Sequence, residues 1–566
     1  MKKLARIFIL IPIGLMVLDS TWSVGQNADT GKVFNKVYFD LNFENSPAIE
    51  PLQVEQGGYI KSDQKPAYNR EGYRLAGWYI SPNPVLTNGY SNEEWIFGER
   101  ALEMLKMLDH SGLPNTMAVS ENITLYARWV KPTKIKSISD LQAIQQDLKG
   151  WYVLENDIDL TGVEWKPIGD YDGTYEYAYP QWWQKAFQGI FEGNGHHIKN
   201  LTFRRAKNTI ALFGAAVNCT IKDVSIDNYL IEFELKDEGD LKASYLYASP
   251  LIGFLHGEST VQNCHTSGKV NVSVEDSHSD FTFVCVSGIA SGGWGGEING
   301  CSVRGSLKLT TKSQNGGEIH VGGIVGEGYS TTVNCTSDLS INTHATSAAT
   351  KADTEMDKHL DLYVGGLHGA STNIINSVAN GTIAVSITKP KGKGAINVGG
   401  ISGSPRYGFI ENCASHVAIQ IGEGREVHAG GIIGAFNTGG FGLIGLGLGI
   451  KRYEAVNCLA TGKIDLGKNF KREKVQLGGI VSSIPDGIVS EYMGGNKIPI
   501  NYRADHCVYV DFYNGATMSD ATGGITKIAD KKAATGEALK SILGSGWIYK
   551  QHELPQPYGI KLVSKK

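Results

Sequence analysis

The stretch Gly322-Gly323-Ile324-Val325-Gly326, followed eight residues later by Asn334-Cys335, decides the fold. The Gly-Gly-apolar-x-Gly pattern recurs at 365–369, 399–403 and 430–434, with weaker copies around Leu212, Phe254, Ile289 and Ile480. A pair resembling Asn-Cys follows each copy, at 218–219, 263–264, 300–301, 334–335, 376–377, 412–413, 457–458 and 506–507. Such self-similarity indicates stacked repeat units that differ in the length of their loops.

Each unit consists of short apolar stretches broken by Gly and Asn, such as 321–325, 332–335 and 339–342, without an amphipathic helical pattern between them. Glycine permits tight corners with positive φ, and asparagine tolerates the left-handed region. We therefore expect an all-β chain with a right-handed parallel β-helix over residues 135–563. A β-propeller is the alternative.

Both ends of a solenoid need covers, because an open rung exposes unpaired backbone groups. Residues 139–142 (Ser-Asp-Leu-Gln) predict a capping box, and the helix that follows places Leu141, Ile144 and Leu148 on one face over the first rung. At the other end we expect a short helix over 535–543, stopped by Gly544. Two further apolar elements, Trp547 and Leu554-Pro555, are expected to close the last rung together with this helix.

Seven of the eight cysteines occupy the same repeat position, and Cys285 does not. Equivalent side chains on stacked rungs point in parallel, which keeps their Cβ atoms farther apart than a disulfide prefers. An inward column of thiols is therefore expected: Cys219, Cys264, Cys301, Cys335, Cys413, Cys458 and Cys507. No Cys-x-x-Cys spacing occurs, so we expect no zinc site, no other metal and no cofactor.

The charge balance bears on the class of partner, and the first residues bear on the location of the protein. The chain has 566 residues with 53 Lys+Arg and 57 Asp+Glu, and this balance of −4 disfavours nucleic acid as a partner. Basic residues at 2, 3 and 6 precede a mostly apolar run over 7–18 and small residues at 23–25, which predicts a signal peptide over 1–25. The run is too short to span a bilayer and no later segment resembles a span, so we expect a secreted or cell-surface protein.

The repeats resemble the GLUG motif, named for its glycine-rich unit. Residues 187–198 (Phe-Gln-Gly-Ile-Phe-Glu-Gly-Asn-Gly-His-His-Ile) are similar to the opening rung of exported bacterial β-helices of that kind. The resemblance covers residues 151–510. It implies a surface-associated, often adhesin-like protein, and it brings no catalytic residues with it.

The segment before residue 132 has a different pattern. Residues 36–41 alternate as a strand, and the aromatic stretches 72–79 and 123–129 predict two more. In this order they resemble the Listeria–Bacteroides repeat of the internalin type, which implies a β-grasp-like module over 34–131 used for attachment or recognition. Residues 98–118, with a helical pattern over 100–109, look like an insertion in that unit.

Right-handed β-helices also carry polysaccharide lyases and glycosidases, which need paired carboxylates or a base with charge neutralisation. Such groups would come from equivalent positions on adjacent rungs, and the repeat positions hold Gly, Ile, Val, Asn and Cys instead. Asp157 and Asp159 share a strand face beside the cap, a place typical of solvated carboxylates. Asp170, Asp172 and Glu176 lack the EF-hand spacing. Without a protease or hydrolase motif, we expect no catalytic residues.

The loop over 170–183 is unusually aromatic, and it inserts between Ile168 and the Phe187 rung. Its candidate ligand-binding residues are Tyr171, Tyr175, Tyr177, Tyr179, Trp182 and Trp183. Exposed Tyr and Trp suit stacking on sugars or anchoring a protein partner; the alternative is that they pack laterally on the first rungs. The apolar, glycine-rich segment 439–450 is expected to pack along the solenoid, with a partner or lipid contact as the alternative.

Together these observations predict an exported two-domain protein that acts as a non-catalytic adhesin or recognition scaffold for glycans or extracellular proteins. A glycan-active β-helix enzyme is the first alternative. A structural spacer that displays the N-terminal module is the second.

Overall fold

The computed structural model confirms an all-β chain. Two short α-helices, α1 (Ile138–Ala143) and α2 (Lys540–Leu543), occur among the described residues. The structure describes residues 32–560 with the following gaps: 92, 96, 98–117, 170–181, 205–207, 237–244, 277–281, 314–315, 348–359, 372, 389–393, 406–407, 437–451, 468–473, 483–488, 492–496, 500 and 511–523. The predicted signal peptide and the segments 100–109 and 439–450 lie outside the described residues.

The N-terminal module is a four-stranded sheet of β1 (Phe34–Asp40), β2 (Leu52–Glu55), β3 (Arg74–Tyr79) and β4 (Ile123–Val130) in the order β2-β1-β4-β3. The central pair β1 and β4 is parallel and the outer pairs are antiparallel, as in a β-grasp fold. Alternate residues of β1 are buried, so that Phe39 meets the edge of Trp78 with ring centroids 5.1 Å apart. A 3-10 turn spans Ser62–Gln64.

The solenoid consists of three sheets in which successive rungs pair in parallel. Sheet 1 contains Pro132–Ile135, Trp151–Leu154, Ile190–Glu192, Phe213–Val217, Thr220–Lys222, Ile252–Gln262, Ala290–Asn299, Val325–Glu327, Thr331–Val333, His368–Ser371, Ile374–Ile375, Ser402–Pro405, Gly408–Glu411, Arg452–Val456 and Asn501–Asp505. Sheet 2 contains Ile158–Asp159, His197–Lys199, Thr202–Phe203, Ser225–Lys236, His265–Asp276, Ser302–Ser313, Thr336–Ser347, Val378–Thr388, Ala414–Ile421, Leu459–Ala460, Ile464–Leu466, Cys507–Val510 and Ile525–Ile528. Sheet 3 contains Thr209–Ile210, Tyr245–Ala248, Thr282–Ser287, Gly317–Gly322, Leu360–Gly365, Ala395–Gly399, Glu426–Gly430 and Val475–Gly478.

Each rung runs through sheet 3, then sheet 1, then sheet 2. The Gly-Gly pair makes the turn between sheets 3 and 1, where a Cβ on Gly322 would lie 1.9 Å from the carbonyl oxygen of Val325. Ile324, which lies between Gly323 and Val325, is fully buried in the solenoid interior. The repeated glycine is therefore a steric requirement of this turn, since any side chain would collide with backbone.

The corner between sheets 1 and 2 is one residue in the left-handed conformation. Its φ lies between 47° and 67° at all eight predicted positions: Asn218, Asn263, Gly300, Asn334, Asn376, Asn412, Asn457 and His506. The Asn412 amide donates to the side-chain oxygen of Asn376 at 3.2 Å, and the Asn457 amide donates to Asn412 at 3.2 Å. Asparagine therefore supplies both the backbone conformation and a hydrogen bond between rungs.

The seven repeat cysteines face the interior as free thiols, as predicted. The backbone N–H groups of Cys264 and Cys301 each lie 3.4 Å from the sulfur one rung further along. Burial raises the pKa of the Cys219 and Cys413 thiols to about 12. Cys285 is also buried, but it belongs to a separate cluster outside the solenoid interior.

The N-terminal cover differs from the prediction in its cap. Leu141, Ile144 and Leu148 are fully buried over the first rung, with α1 extended by a 3-10 turn over Ile144–Gln146. The N-cap, however, is Ser137, whose hydroxyl accepts a hydrogen bond from the backbone N–H of Asp140 at 3.2 Å. The Asp140 carboxylate accepts in return from the N–H of Lys136, so the capping box is shifted from the predicted 139–142.

The C-terminal segment was expected to close the last rung, and this prediction is wrong. The 3-10 turns Lys532–Ala534, Gly536–Leu539 and Gly544–Gly546 flank α2, and Trp547–Ile548 pairs with Gln556–Pro557. Leu539, Leu543 and Trp547 pack sideways against a column on neighbouring rungs of sheet 2: Val378, Ala414, Leu459 and Val508. The segment runs beside the asparagine corner because four successive outward positions there are apolar.

A two-stranded hairpin of Val489–Glu491 and Lys497–Pro499 completes the strands. No helix within the described ranges is long and apolar enough to cross a membrane.

The interior assignment predicts a graded response to mutation. Ile324→Asp places an unpaired charge in the fully buried interior and should lower the free energy of unfolding by several kcal/mol, whereas Cys335→Ala only shortens a buried side chain and should cost about 1–2 kcal/mol. Urea unfolding of both variants measures the difference. Equal effects, rapid native labelling of most column thiols, or several disulfides in the mass spectrum would contradict the inward column.

Candidate functional site

The predicted aromatic loop is attached to the solenoid at both ends. Tyr171, Tyr175, Tyr177 and Tyr179 lie outside the described residues, and the backbone of Trp182 and Trp183 forms a 3-10 turn over Trp182–Lys185. The Gly169 N–H donates to the Gln145 side chain at 2.9 Å before the loop. After it, the fully buried Phe187 packs on Phe213 with ring centroids 4.8 Å apart. The loop therefore emerges at the N-terminal end of the rod, while its ligand-binding role stays a prediction.

An open cleft of about 580 Å³ lies beside the first rung. Its wall combines the start of α1 with the carboxylates weighed as a catalytic pair, and it is lined by Lys136, Ser137, Ile138, Ser139, Gln142, Asp157, Ile158 and Asp159. The other acidic candidates, Asp170, Asp172 and Glu176, lie outside the described residues.

Both carboxylates of the cleft are already engaged. Asp157 accepts from the Lys199 ammonium at 2.6 Å and from the His197 backbone N–H at 3.0 Å, and these bonds lower its pKa to about 2. Asp159 accepts from the Thr161 hydroxyl at 2.6 Å and from the Asn200 amide at 2.8 Å, which lowers its pKa as well. Neither group holds a proton near neutral pH, so this pair lacks the general acid that glycosidase chemistry requires.

Sequence reasoning missed a polar column on the outer face of sheet 3. Glu318 and Asp361 are in register on neighbouring rungs, as are His320 and Tyr363 two residues later. The expectation that equivalent rung positions carry no carboxylates is therefore wrong here. The signal was present in the sequence: these residues stand four and two positions before the first glycine of each Gly-Gly pair.

The column holds a buried histidine. His320 is fully buried, its Nε2 lies 3.1 Å from a Glu318 carboxylate oxygen, and its ring stacks on Tyr363 with centroids 4.8 Å apart. Its Nδ1 has no hydrogen-bond partner among the described residues. Glu327, on the sheet 1 strand of the same rung, is only 6 % exposed. A buried histidine paired with a partly exposed carboxylate is an arrangement that can transfer protons.

Buried polar contacts hold the module on the first rung. The Arg74 guanidinium donates to the carbonyl oxygens of Lys149 at 2.6 Å and Gln188 at 2.7 Å. The Lys149 ammonium pairs with Glu94, and these side chains are 9 % and 11 % exposed. Because breaking a buried ion pair costs about 3–5 kcal/mol, the module is held in a defined position. A pair between Arg128 and Asp147 adds to the same interface.

Comparison with solved structures finds distant likenesses, and two of them are as follows. One is to a Bacteroides ovatus protein provisionally named an immunoglobulin A1 protease, with 15 % identity, a TM-score of 0.33, and coverage of 76 % of this chain and 93 % of that chain. The other is to a protein named IgA1 protease, with 15 % identity, a TM-score of 0.34, and coverage of 61 % of this chain and 23 % of that chain. These TM-scores are too low to support an inference about activity. No protein-family model and no curated protein matches the sequence.

The hydrogen bonds of Asp157 predict a pH-dependent contribution to stability. Its folded pKa of about 2 lies below the unfolded value of about 3.9, so the stabilisation is complete above about pH 5 and is lost as the pH falls towards 2. The variant Asp157→Asn should therefore lower the Tm at pH 7, and the difference from the parent should shrink between pH 4 and pH 2.5. Asp63→Asn, at an exposed carboxylate of the module, is the matched control. A difference in Tm that stays constant with pH would refute this role.

Proposed function

We propose that this protein is an exported recognition scaffold of the cell surface, a non-catalytic adhesin that binds glycans or extracellular proteins. The observation that carries the proposal is the buried contact between the module and the first rung, through Arg74 and the Lys149–Glu94 pair. A rod that presents a firmly seated module at its end is an arrangement suited to display. The resemblances to GLUG repeats and to the Listeria–Bacteroides repeat support the same proposal.

The aromatic loop belongs to this end of the rod. It returns to the solenoid through the Trp182–Lys185 turn, and Gln188, a few residues later, accepts a hydrogen bond from Arg74 of the module. Tyr and Trp side chains combine a large apolar area with a polar group, as glycan and protein recognition require. We therefore place the recognition surface at the N-terminal end.

A non-catalytic role is supported by the state of the first-rung carboxylates. Asp157 and Asp159 are ionised and engaged by neighbouring side chains, so they act as structural anions at the edge of the cleft. The export of the chain is proposed on the predicted signal peptide at 1–25.

A glycan-active enzyme is the second candidate, and one observation favours it. Glu318 and Asp361 are in register on adjacent rungs, and strands about 4.8 Å apart bring carboxylates near the roughly 5–5.5 Å separation used by retaining glycosidases. In such an enzyme His320 would assist proton transfer. This candidate requires that sugar release be lost in Glu318→Gln and in Asp361→Asn.

The proposed function predicts binding without turnover. The mature chain should bind in an array of glycans and extracellular matrix proteins, and the same polysaccharides should release no reducing sugar. Removing two candidate stacking rings, with Trp182→Ala and Trp183→Ala together, should weaken binding of the captured ligand by roughly tenfold or more, because each stacked ring is worth about 1 kcal/mol. Titration of the parent and the double variant measures the change.

Tyr558→Ala provides the control, because Tyr558 is an aromatic residue of the C-terminal segment that is 67 % exposed. It should leave the affinity unchanged. Unchanged binding by the double variant at an unchanged Tm would move recognition to the module itself. Reducing-sugar release that disappears in Glu318→Gln would replace the scaffold with the enzyme.

A further inference from the structure

A cluster of aromatic rings on the module surrounds one arginine. The Arg70 guanidinium carbon lies 3.8 Å from the ring centroid of Tyr73, 4.3 Å from that of Phe43 and 5.8 Å from that of Trp129. Tyr68, which is 37 % exposed, meets the edge of Trp129 with centroids 6.3 Å apart. We name this surface the Arg70 patch. It comprises Phe43, Tyr68, Arg70, Tyr73, Trp129 and Lys131.

The patch is built on ordered elements. Trp129 lies on β4, and its indole N–H donates to the carbonyl oxygen of Leu41 at 2.6 Å, which fixes the ring. Arg70 and Tyr73 belong to a turn before β3 that is closed by a 3.0 Å hydrogen bond from the Tyr73 N–H to the Arg70 carbonyl oxygen. The rings and the cation are therefore arranged before any ligand arrives, and little ordering entropy opposes binding.

The patch has cations without partner anions. Lys131 lies 4.8 Å from the centre of the Tyr73 ring, and its hydrogen bond to the phenol lowers the Tyr73 pKa. Within the described part of the chain, neither Arg70 nor Lys131 forms an ion pair with a carboxylate. The Arg70 guanidinium also donates no side-chain hydrogen bond within the described residues, so its N–H groups can act as a bidentate donor to a carboxylate.

We propose that the Arg70 patch binds an acidic saccharide, with Arg70 and Lys131 on the sugar carboxylate and the exposed Tyr68 ring against the apolar face of the sugar. This inference rests on the proposed function, because it names the ligand class of the recognition scaffold. Stacking alone would accept any sugar, and charge alone would accept any anion. The combination selects a carboxylate attached to a pyranose ring, as in a uronic acid.

Calorimetric titration of the mature chain tests the proposal, with tetragalacturonate as the acidic probe and its methyl ester as the neutral one. The parent should bind the acid at least tenfold more tightly than the ester, and the preference should weaken as salt is added. Arg70→Met, which keeps an apolar side chain between the rings, should weaken binding of the acid at least tenfold and change binding of the ester little. The affinity of Arg70→Lys for the acid should lie between those of the parent and Arg70→Met, because lysine keeps the positive charge and loses the bidentate guanidinium.

Two further variants separate charge from stacking. Tyr68→Ala should weaken the acid and the ester by similar factors, since the lost ring contacts the sugar face in both. Lys131→Gln should weaken the acid alone, and it tests the charge requirement if Arg70→Met lowers the Tm. Lys36→Met, on an exposed position of β1, is the matched loss of one positive charge and should have no effect.

Equal affinity for acid and ester, equal binding by the parent and Arg70→Met, or oligoglutamate binding as tightly as tetragalacturonate would overturn the proposal. The proposed function is judged separately by the array. A ligand that both the parent and Arg70→Met bind would support the scaffold function and exclude the Arg70 patch as its binding site. An array that captures nothing, with tetragalacturonate still bound at Arg70, would restrict recognition to this sugar class.

Discussion

In each of the eight repeat rungs, the solenoid depends on one corner residue that holds a positive φ. At the corner between sheets 1 and 2 the chain must turn within a single residue, and an ordinary side chain in the left-handed region costs about 1–2 kcal/mol. Seven of the eight corners use Asn or Gly, with φ between 47° and 67°, and His506 forms the last. Because the corner is fixed, the next residue faces the interior, and the following sheet 2 strand starts in register with the rung beside it. Twelve residue pairs between Ser302–Ser313 and Thr336–Ser347 follow without a shift.

Features governed by local sterics could be predicted from the sequence. The corner, the Gly-Gly turn and the thiol column each follow from a requirement that one residue type meets, such as the absence of a Cβ at Gly322. Features that join distant parts of the chain could not. The lateral docking of Trp547 depends on Val378, Ala414, Leu459 and Val508, whose equivalents on earlier rungs are Ser302 and Thr336. Of the candidate site, the position of the aromatic loop in the rung order could be predicted, whereas the Arg70 patch joins residues from separate strands and turns of the module.

The functional proposals follow from how the polar groups are used. At the cleft, Asp157 and Asp159 are engaged by Lys199 and Asn200 and have no proton to give. At the junction, Arg74 and Lys149 are used to hold the module. The Arg70 patch differs, because its cations stack on rings and pair with no carboxylate among the described residues. Two cations without carboxylate partners beside a partly exposed aromatic cluster are suited to recognise an anion on an apolar surface.

The most direct test of the central claim is the free energy of unfolding of two variants at one corner, Asn376→Gly and Asn376→Ala, measured in urea. Within a strand, Gly is less stable than Ala by about 0.5–1 kcal/mol. At φ 49° the order should be reversed. Both variants lose the hydrogen bond that Asn376 accepts from Asn412, so this bond cancels in the comparison. The account predicts that Asn376→Gly is more stable than Asn376→Ala by about 1 kcal/mol or more; an alanine variant as stable as the glycine variant would contradict it.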